Sequence, residues 1–336
     1  MRVDQTALLT APADGEAALQ SDPGRTMPWP GAARVAVLIP CHNEAAAIGK
    51  VVADFRAALP RAEIFVYDNN STDATAAVAA AAGARVRRER LQGKGHVVRR
   101  MFADIEADVF VLVDGDDTYE AAAAPALLRL LSEDRLDMVI ATRVTDIQAA
   151  YRPGHRFGNR LLTGIVAGIF GNRVTDMLSG YRVFSRRFVK TFPALATGFE
   201  TETELTVHAL ELHMAIGERA TAYRDRPAGS ASKLRTWRDG ARILRSIVIL
   251  VKEEKPLAFF GLAALALAWT GLGLGLPVVR EFFATGLVPR LPTAVLAMGF
   301  VLLSFLSLAA GLILDSVARG RREVKRLAYL AVPGPP

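Results

Sequence analysis

Two apolar runs near the C-terminus, Pro256 to Val279 and Leu291 to Val317, restrict this chain more than any other feature. Each is roughly 24 residues or longer, and about 20 apolar residues suffice to cross a bilayer as a helix. Two buried core helices could also hide such runs, but their length and adjacency favour a membrane hairpin. The flanking charge gives the hairpin a direction. Arg238, Arg242, Arg245, Lys252 and Lys255 precede the pair, and Arg319, Arg321, Arg322, Lys325 and Arg326 follow it. The connecting loop carries only Arg280 and Arg290 as basic residues. Basic residues collect on the cytoplasmic side of spanning segments, so both termini are expected there. The formal net charge of +7 then reads as attraction to anionic lipid headgroups, because the basic residues crowd beside the spans. No basic stretch interleaved with aromatics occurs, which argues against a nucleic-acid partner.

Upstream of the hairpin the periodicity changes. From Arg34 strand and helix signals alternate: Val35 to Ile39, Ile64 to Tyr67, Ala84 to Val86, Val109 to Val113 and Met138 to Ala141 as strands. Ala45 to Leu59, Asp73 to Ala82 and Gly95 to Ala107 read as the intervening helices. This alternation predicts a mostly parallel sheet with helices on both faces. After Tyr151 the pattern loosens. Leu234 to Val251 reads as an amphipathic helix, its Ile243, Leu244, Ile247, Val248 and Leu250 opposed by Arg235, Arg238, Arg242 and Arg245. The first thirty or so residues, rich in Pro, Gly, Asp and Ala, read as a flexible tail and not as a signal peptide. The expected organisation is a tail over 1–33, an α/β domain over 34–233 and an amphipathic juxtamembrane helix over 234–255. Two transmembrane helices over 256–317 and a basic cytoplasmic tail over 318–336 complete it. The single cysteine, Cys41, excludes a disulfide framework, and with five scattered histidines it argues against structural zinc. Both fit a reducing cytoplasm.

The chemistry gathers where strands should end. The run Val109 to Val113 leads straight into Asp114, Asp116, Asp117 and Thr118, three carboxylates in four positions at a strand mouth. Open α/β sheets bind ligands at that edge. Carboxylates so close repel one another unless a cation neutralises them, and Asp-x-Asp on a turn offers hard oxygen ligands suited to Mg²⁺ or Mn²⁺. A plainer reading is an acidic turn capping the helix that begins near Glu120. Ile39-Pro40-Cys41-His42-Asn43-Glu44 and Tyr67-Asp68-Asn69-Asn70-Ser71-Thr72-Asp73 follow the first two strands, and Gln92-Gly93-Lys94-Gly95 precedes the third helix. Gly93-Lys94-Gly95 lacks the glycine spacing and Lys-Ser/Thr pair of a Walker A loop. Together these segments converge on one sheet edge.

In that order they resemble the family 2 glycosyltransferases of the glycosyltransferase-A fold, in the dolichyl-phosphate mannose synthase-like branch that charges polyprenyl phosphates. The resemblance covers roughly Arg34 to Leu234. It rests on Pro40-x-x-Asn43-Glu44, Asp68 to Asp73, Gly93-Lys94-Gly95, Asp114-Gly115-Asp116, Ser179-Gly180-Tyr181-Arg182 and Ser232-Lys233-Leu234. It implies a UDP- or GDP-hexose donor held by Pro40, His42, Glu44, Asp68, Lys94 and Asp114. It also implies a divalent ion, Mg²⁺ or Mn²⁺, facing Asp114 and Asp116, with Thr118 where relatives often carry glutamine. Arg226 and Lys233 would neutralise the departing diphosphate, and one extra residue between Gly229 and Ser232 makes that loop bulge relative to the family. The acceptor phosphate maps best onto Arg143 and Arg156, with Arg152 competing for the second place and Arg182 open to a structural role. Glu202 and Glu204 lie near the family's acidic position or form the polar face of a helix. Self-association is left open.

The implied reaction is an inverting transfer at the cytoplasmic face, in which a polyprenyl phosphate oxygen attacks the anomeric carbon and expels a nucleoside diphosphate. A phosphate is already anionic near neutral pH, so no strong general base is required. A synthase that extends a polysaccharide is the nearest alternative, but Thr236-Trp237-Arg238 lacks the glutamine of Gln-x-x-Arg-Trp and two spans form no conduit alone. A catalytically silent membrane adaptor that binds nucleotide-sugar is an alternative of another class, and the intact acidic turn, Lys94 and Arg226 argue against it.

Overall fold

The computed structural model describes residues 33–144, 164, 174–196, 198, 200–224, 245, 248–249 and 251–335. Seven strands form one sheet: β1 (Val35–Cys41), β2 (Glu63–Asp68), β3 (Arg85–Arg88), β4 (Val109–Leu112), β5 (Met138–Val144), β6 (Arg182–Ser185) and β7 (Ile216–Ala222). Helices fully bounded among the described residues are α1 (Ile48–Ala58), α2 (Thr75–Ala81), α3 (Lys94–Asp104), α4 (Ala124–Glu133), α5 (Arg186–Thr191), α6 (Thr201–Glu211), α7 (Pro256–Thr285) and α8 (Leu291–Ala331). A short 3₁₀ turn, Ala121–Ala123, leads into α4.

The strand order is β3-β2-β1-β4-β6-β5-β7. All neighbours are parallel except β6, which runs antiparallel to both β4 and β5. The expected mostly parallel sheet is therefore present, with one reversed strand supplied by the region where the sequence pattern loosens. Strand β1 is buried throughout its middle because both faces are covered. Ala36 and Leu38 face one core layer with α3, α5 and α6, whereas Val37, Ile39 and Cys41 face the other with α1 and α4. Helix α1 buries Ile48, Val51, Val52 and Phe55, and α4 buries Ala124, Leu127, Leu128 and Leu131. Both sets follow the i, i+3, i+4, i+7 spacing of one helical face. From β1 the order reverses, with β2 and β3 on one side and β4 on the other. The crevice at such a switch point, beyond the C-terminal ends of the strands, is the ligand position of open α/β sheets.

Helix α6 departs from this logic. Its sequence TETELTVHALE looks half polar, yet every residue from Thr201 to Glu211 is buried. Several of its polar groups find particular partners: Thr206 Oγ1 donates to Glu202 O, and Glu204 accepts from the backbone N–H groups of Leu195 and Ala196, each at 2.8 Å.

Helices α7 and α8 are both long and apolar enough to cross a membrane. Pro256 sits in the first turn of α7, where its missing N–H costs nothing, and Gly286, at φ 72°, ends that helix in the left-handed conformation. The helices meet through small residues: Gly271 lies where a Cβ would stand 3.0 Å from Ala297 O, and Ser307 Oγ donates to Phe260 O. Close backbone approach of this kind is typical of membrane helix pairs. Outward the pair shows Trp269, Phe283 and Phe305, each more than two-thirds exposed.

Helix α8 does not stop where its apolar run does. It continues unbroken through the segment expected as a basic tail and returns to the α/β domain. Lys325 and Tyr329, four residues apart on one face, make the contact, and Arg321 one turn earlier reaches the segment just before α7. Arg321 Nη2 donates to Glu253 O, Lys325 pairs with Glu211 at 2.6 Å, and the Tyr329 hydroxyl donates to Asp137 at 2.9 Å. The Arg187 guanidinium lies 4.5 Å from the centre of the Tyr329 ring. Most of the expected amphipathic helix over 234–255 lies outside the described residues; 251–254 is helical.

Candidate active site

The loops after β1 and β2 and the loop before α3 are tied together by one buried residue, Asn69, through its side chain and its backbone. Its amide donates to Glu89 O and Leu91 O, and its carbonyl accepts from Gly93 N at 2.8 Å and Gln92 Nε2 at 3.3 Å. The Asn69 backbone N–H donates to Cys41 O, and Asn69 O pairs with His42 Nδ1 at 2.9 Å. Asn43 and Asn70 turn the chain with left-handed backbones, φ 51° and 60°, which asparagine tolerates better than most residues. Asn43 Oδ1 accepts from Thr72 N, closing the β1 loop on the β2 loop. Asp73 bonds Ala45 N and Thr75 N. Burial alone would raise its carboxyl, but these bonds hold it below the usual range.

Pro40 occupies an inner strand, which a missing N–H normally forbids. Leu38 O accepts from Val113 N, so Leu38, and two residues on Pro40, face the β4 side. There β4 has already ended, and no ladder bond is lost. Asp68, at the end of β2, is 7% exposed. Its Oδ2 accepts from Ser71 N, while its Oδ1 is buried without a hydrogen-bond partner among the described residues. Glu44, half-buried, enters α1 with its backbone N–H bonded to Thr75 Oγ1.

The acidic turn sorts its three carboxylates into three environments. Asp117, at φ 58°, points away to Lys50 at 2.8 Å. Asp116 is buried, and its Oδ1 accepts from Thr118 Oγ1 at 2.6 Å. Thr118 thus orients Asp116 with its proton. Asp114 stays 31% exposed at the mouth and pairs with Lys94, which also pairs with Glu202 at 2.5 Å. Burial by itself would lower the Lys94 ammonium's pKa, but the two carboxylates raise it above its ordinary value. Two glycines of the sequence motifs permit this packing. A Cβ on Gly180 would stand 2.2 Å from Asp114 Oδ2, and one on Gly95 would stand 2.1 Å from Ala196 O. Beneath the turn Tyr119 touches the rings of Tyr181 and Tyr223, and its hydroxyl accepts from Gly180 N at 2.8 Å.

Arg143 reaches the same edge from the end of β5, which runs in the direction of β4. Its Nε and Nη2 each donate to Asp176 at 2.8 Å, and its guanidinium lies 5.6 Å from the Tyr223 ring centre. Arg182 is wholly buried and bonds Met177 O, Ser179 O and Thr206 Oγ1, which is a structural role. Burial lowers its pKa to about 10. Arg152, Arg156, Arg226 and Lys233 lie outside the described residues. Arg224, the last described residue before Arg226, lies beside the acidic turn: its N–H donates to Thr118 O at 2.9 Å.

The structure thus brings Pro40, His42, Glu44, Asp68, Lys94, Asp114, Asp116, Thr118 and Arg143 to one edge. It adds Asn69, Asp176 and Gly180, and of the two glutamates left open it brings Glu202 to Lys94 while Glu204 is tied to backbone N–H groups. Asn69 and Gly180 were visible as motif letters without a role, and nothing in the sequence pairs Asp176 with Arg143. Among the described residues no group of three or more His, Cys, Asp or Glu side chains gathers for a metal. Asp114 and Asp116 nevertheless suit a divalent ion, since Mg²⁺ is commonly held by one or two carboxylates with substrate phosphates and water completing its shell.

Residues 36–192 match the family model described as Glycosyl transferase family 2. Glycosyltransferase AglJ of Haloferax volcanii is 36% identical over 311 residues, covering 90% of this chain and 100% of that protein. The dolichyl-phosphate hexose transferase of the same organism is 32% identical over 223 residues, 66% of this chain and 95% of its own length. Among solved structures, glucosyl-3-phosphoglycerate synthase from Mycobacterium tuberculosis, in complex with Mn²⁺, uridine diphosphate and glucosyl-3-phosphoglycerate, superposes with a TM-score of 0.53 at 24% identity. That likeness covers 66% of this chain and 80% of the synthase, and it is one of fold. With near end-to-end similarity to AglJ and the acidic turn at the switch point of the sheet, this chain belongs to glycosyl transferase family 2.

Proposed function

We propose that the protein is a membrane-anchored enzyme that moves a hexose from a nucleotide-sugar to a polyprenyl phosphate at the cytoplasmic face. One observation carries the reading: a donor-type sheet edge and an apolar-surfaced helix pair belong to one chain, joined by the returning arm of α8. The relative named for dolichyl-phosphate hexose transfer supports a lipid acceptor.

Asp68 offers its buried, unused Oδ1 to a donor group of the base, with Pro40, His42 and Glu44 lining the same cradle. Lys94 keeps a positive charge beside the diphosphate. Asp114 and Asp116, the latter oriented by Thr118, would hold Mg²⁺ or Mn²⁺ against the diphosphate oxygens. When bound, that ion supplies charge neutralisation at the leaving group. The solved synthase contains Mn²⁺ with uridine diphosphate on a similar fold. Arg226 and Lys233 are assigned to the departing diphosphate, and Arg143 and Arg156 to the acceptor phosphate. The acceptor oxygen forms the new bond to the anomeric carbon as the carbon–oxygen bond to the diphosphate breaks, with inversion. Positioning and charge neutralisation provide the catalysis.

The test is to incubate the purified full chain with undecaprenyl phosphate and a panel of UDP- and GDP-hexoses, with Mg²⁺ or Mn²⁺, and to weigh the lipid product. A glycolipid heavier by one hexose, lost in excess chelator, is expected. Transfer to a free sugar with the lipid ignored would overturn the reading.

A further inference from the structure

Lys94 has two anionic partners where one would neutralise it, and the two differ in freedom. Asp114 faces the open mouth and is about one-third exposed; Glu202 is 8% exposed on a helix buried on every side. Lys94 itself cannot retreat, because Gly95 is pressed against the Ala196 carbonyl and fixes the start of α3. Neighbouring Glu204 uses both oxygens on backbone N–H groups, so it cannot replace Glu202. We propose that Glu202 is a positioning residue: it holds Lys94 in the site when Asp114 turns to the divalent ion and diphosphate, and thereby makes Asp114 available to them.

The reasoning is one of charge. Two carboxylates share one ammonium, so either can leave it without stranding a buried charge. Without Glu202, Asp114 would be the one carboxylate paired with Lys94 among the described residues. Drawing Asp114 toward the ion would then leave a buried ammonium with no carboxylate beside it and only the diphosphate to share, which is unfavourable. Lys94 would lock Asp114, and the ion would bind less well. The inference rests on the nucleotide-sugar reading above.

The test uses the full chain in detergent and calorimetric titration of Mn²⁺ in the presence of UDP, or GDP if the wild type binds that instead, so that no acceptor or turnover is involved. Glu202→Gln, isosteric but uncharged, should raise the half-saturating Mn²⁺ concentration about tenfold, the equivalent of one charge-assisted hydrogen bond. Glu202→Asp, which keeps the charge, should restore most of the difference. In a Lys94→Met background Glu202→Gln should have no further effect, because the competition is gone. Wild-type ion binding in Glu202→Gln, or an equal penalty without Lys94, would overturn the role and leave the transfer reading intact. Should Glu202→Gln melt early, Glu202→Asn set against its isostere Glu202→Asp, with and without Lys94, decides the same question. A wild type that binds neither nucleotide with Mn²⁺ would overturn the donor reading itself.

Discussion

At the C-terminal edge of the sheet, Asp68 keeps a buried oxygen without a partner and Asp114 remains partly open to the mouth. At the opposite edge Asp137 is wholly buried, and both of its oxygens are in use. They accept from Ser185 Oγ at 2.8 Å, from Arg187 Nε and Nη2 at 2.5 and 2.9 Å, and from the Tyr329 hydroxyl at 2.9 Å. Both edges place carboxylates at strand ends. What separates them is saturation: the lower cluster is closed by the protein's own donors and serves as an anchor, while the upper one keeps capacity for something not in the chain. Buried polar groups are nearly always satisfied, so the spare Asp68 oxygen, at a strand mouth lined by the motif segments, is suited to a ligand's donor.

Substitution at each edge should therefore register in different measurements. Asp116→Asn should lower the rate of sugar transfer by about two to three orders of magnitude, the usual cost of a lost transition-state contact, while the melting curve stays in place. A rate above one-third of wild type would remove Asp116 from the working site. Asp137→Asn should do the converse. Weakening the pair with Arg187 should cost about 2–4 kcal/mol of stability, seen as a lower melting temperature, with the rate per folded molecule nearly kept. Lost activity without lost stability would mean that the lower edge is no mere anchor.

Helix α6 joins the two edges, with Glu202 at its upper end and Glu211, paired to Lys325, at its lower end. Midway, His208 is buried beside Phe188 and Phe192, and burial lowers its pKa to about 3. The folded value is depressed, so its contribution is complete above about pH 6.5 and is lost as pH falls toward 3. Between those limits each pH unit should cost about 1.4 kcal/mol, a slope that His208→Leu should flatten. Equal slopes for both proteins would mean that the imidazole is not closed off from solvent.

The readability of the sequence followed the same division. Strands β1 to β5 and the first three helices came within a few residues of their expected bounds, because covered strands such as β1, β2 and β4 and one-sided helices leave plain periodic marks, and the exposed β3 falls between two of them. Strand β6 did not, since RVFS opens with an arginine; only the fold reveals that the Arg182 guanidinium is hydrogen-bonded by the nearby Met177 and Ser179 carbonyls and by the Thr206 hydroxyl of α6. Helix α6 read as half polar for a similar reason. The partners of Glu202, Glu204 and Glu211 are Lys94, two backbone N–H groups and Lys325, and no local pattern announces them. At the site, the motif segments located the edge. They did not disclose that Asn69 ties three loops together or that Arg143 is held by Asp176.

The arm of α8 has a bearing on the order in which the molecule can be completed. Tyr329 and Asp137 are 192 positions apart, and both candidate spans lie between them. During synthesis the α/β domain emerges first, with Asp137 and Arg187 lacking their final covering. That edge closes only when the last turns of α8 have been made and the hairpin has brought them back. A chain cut short before Lys325 would keep every motif of the transfer site and still lack the contacts of Lys325 with Glu211 and of Tyr329 with Asp137 at its underside.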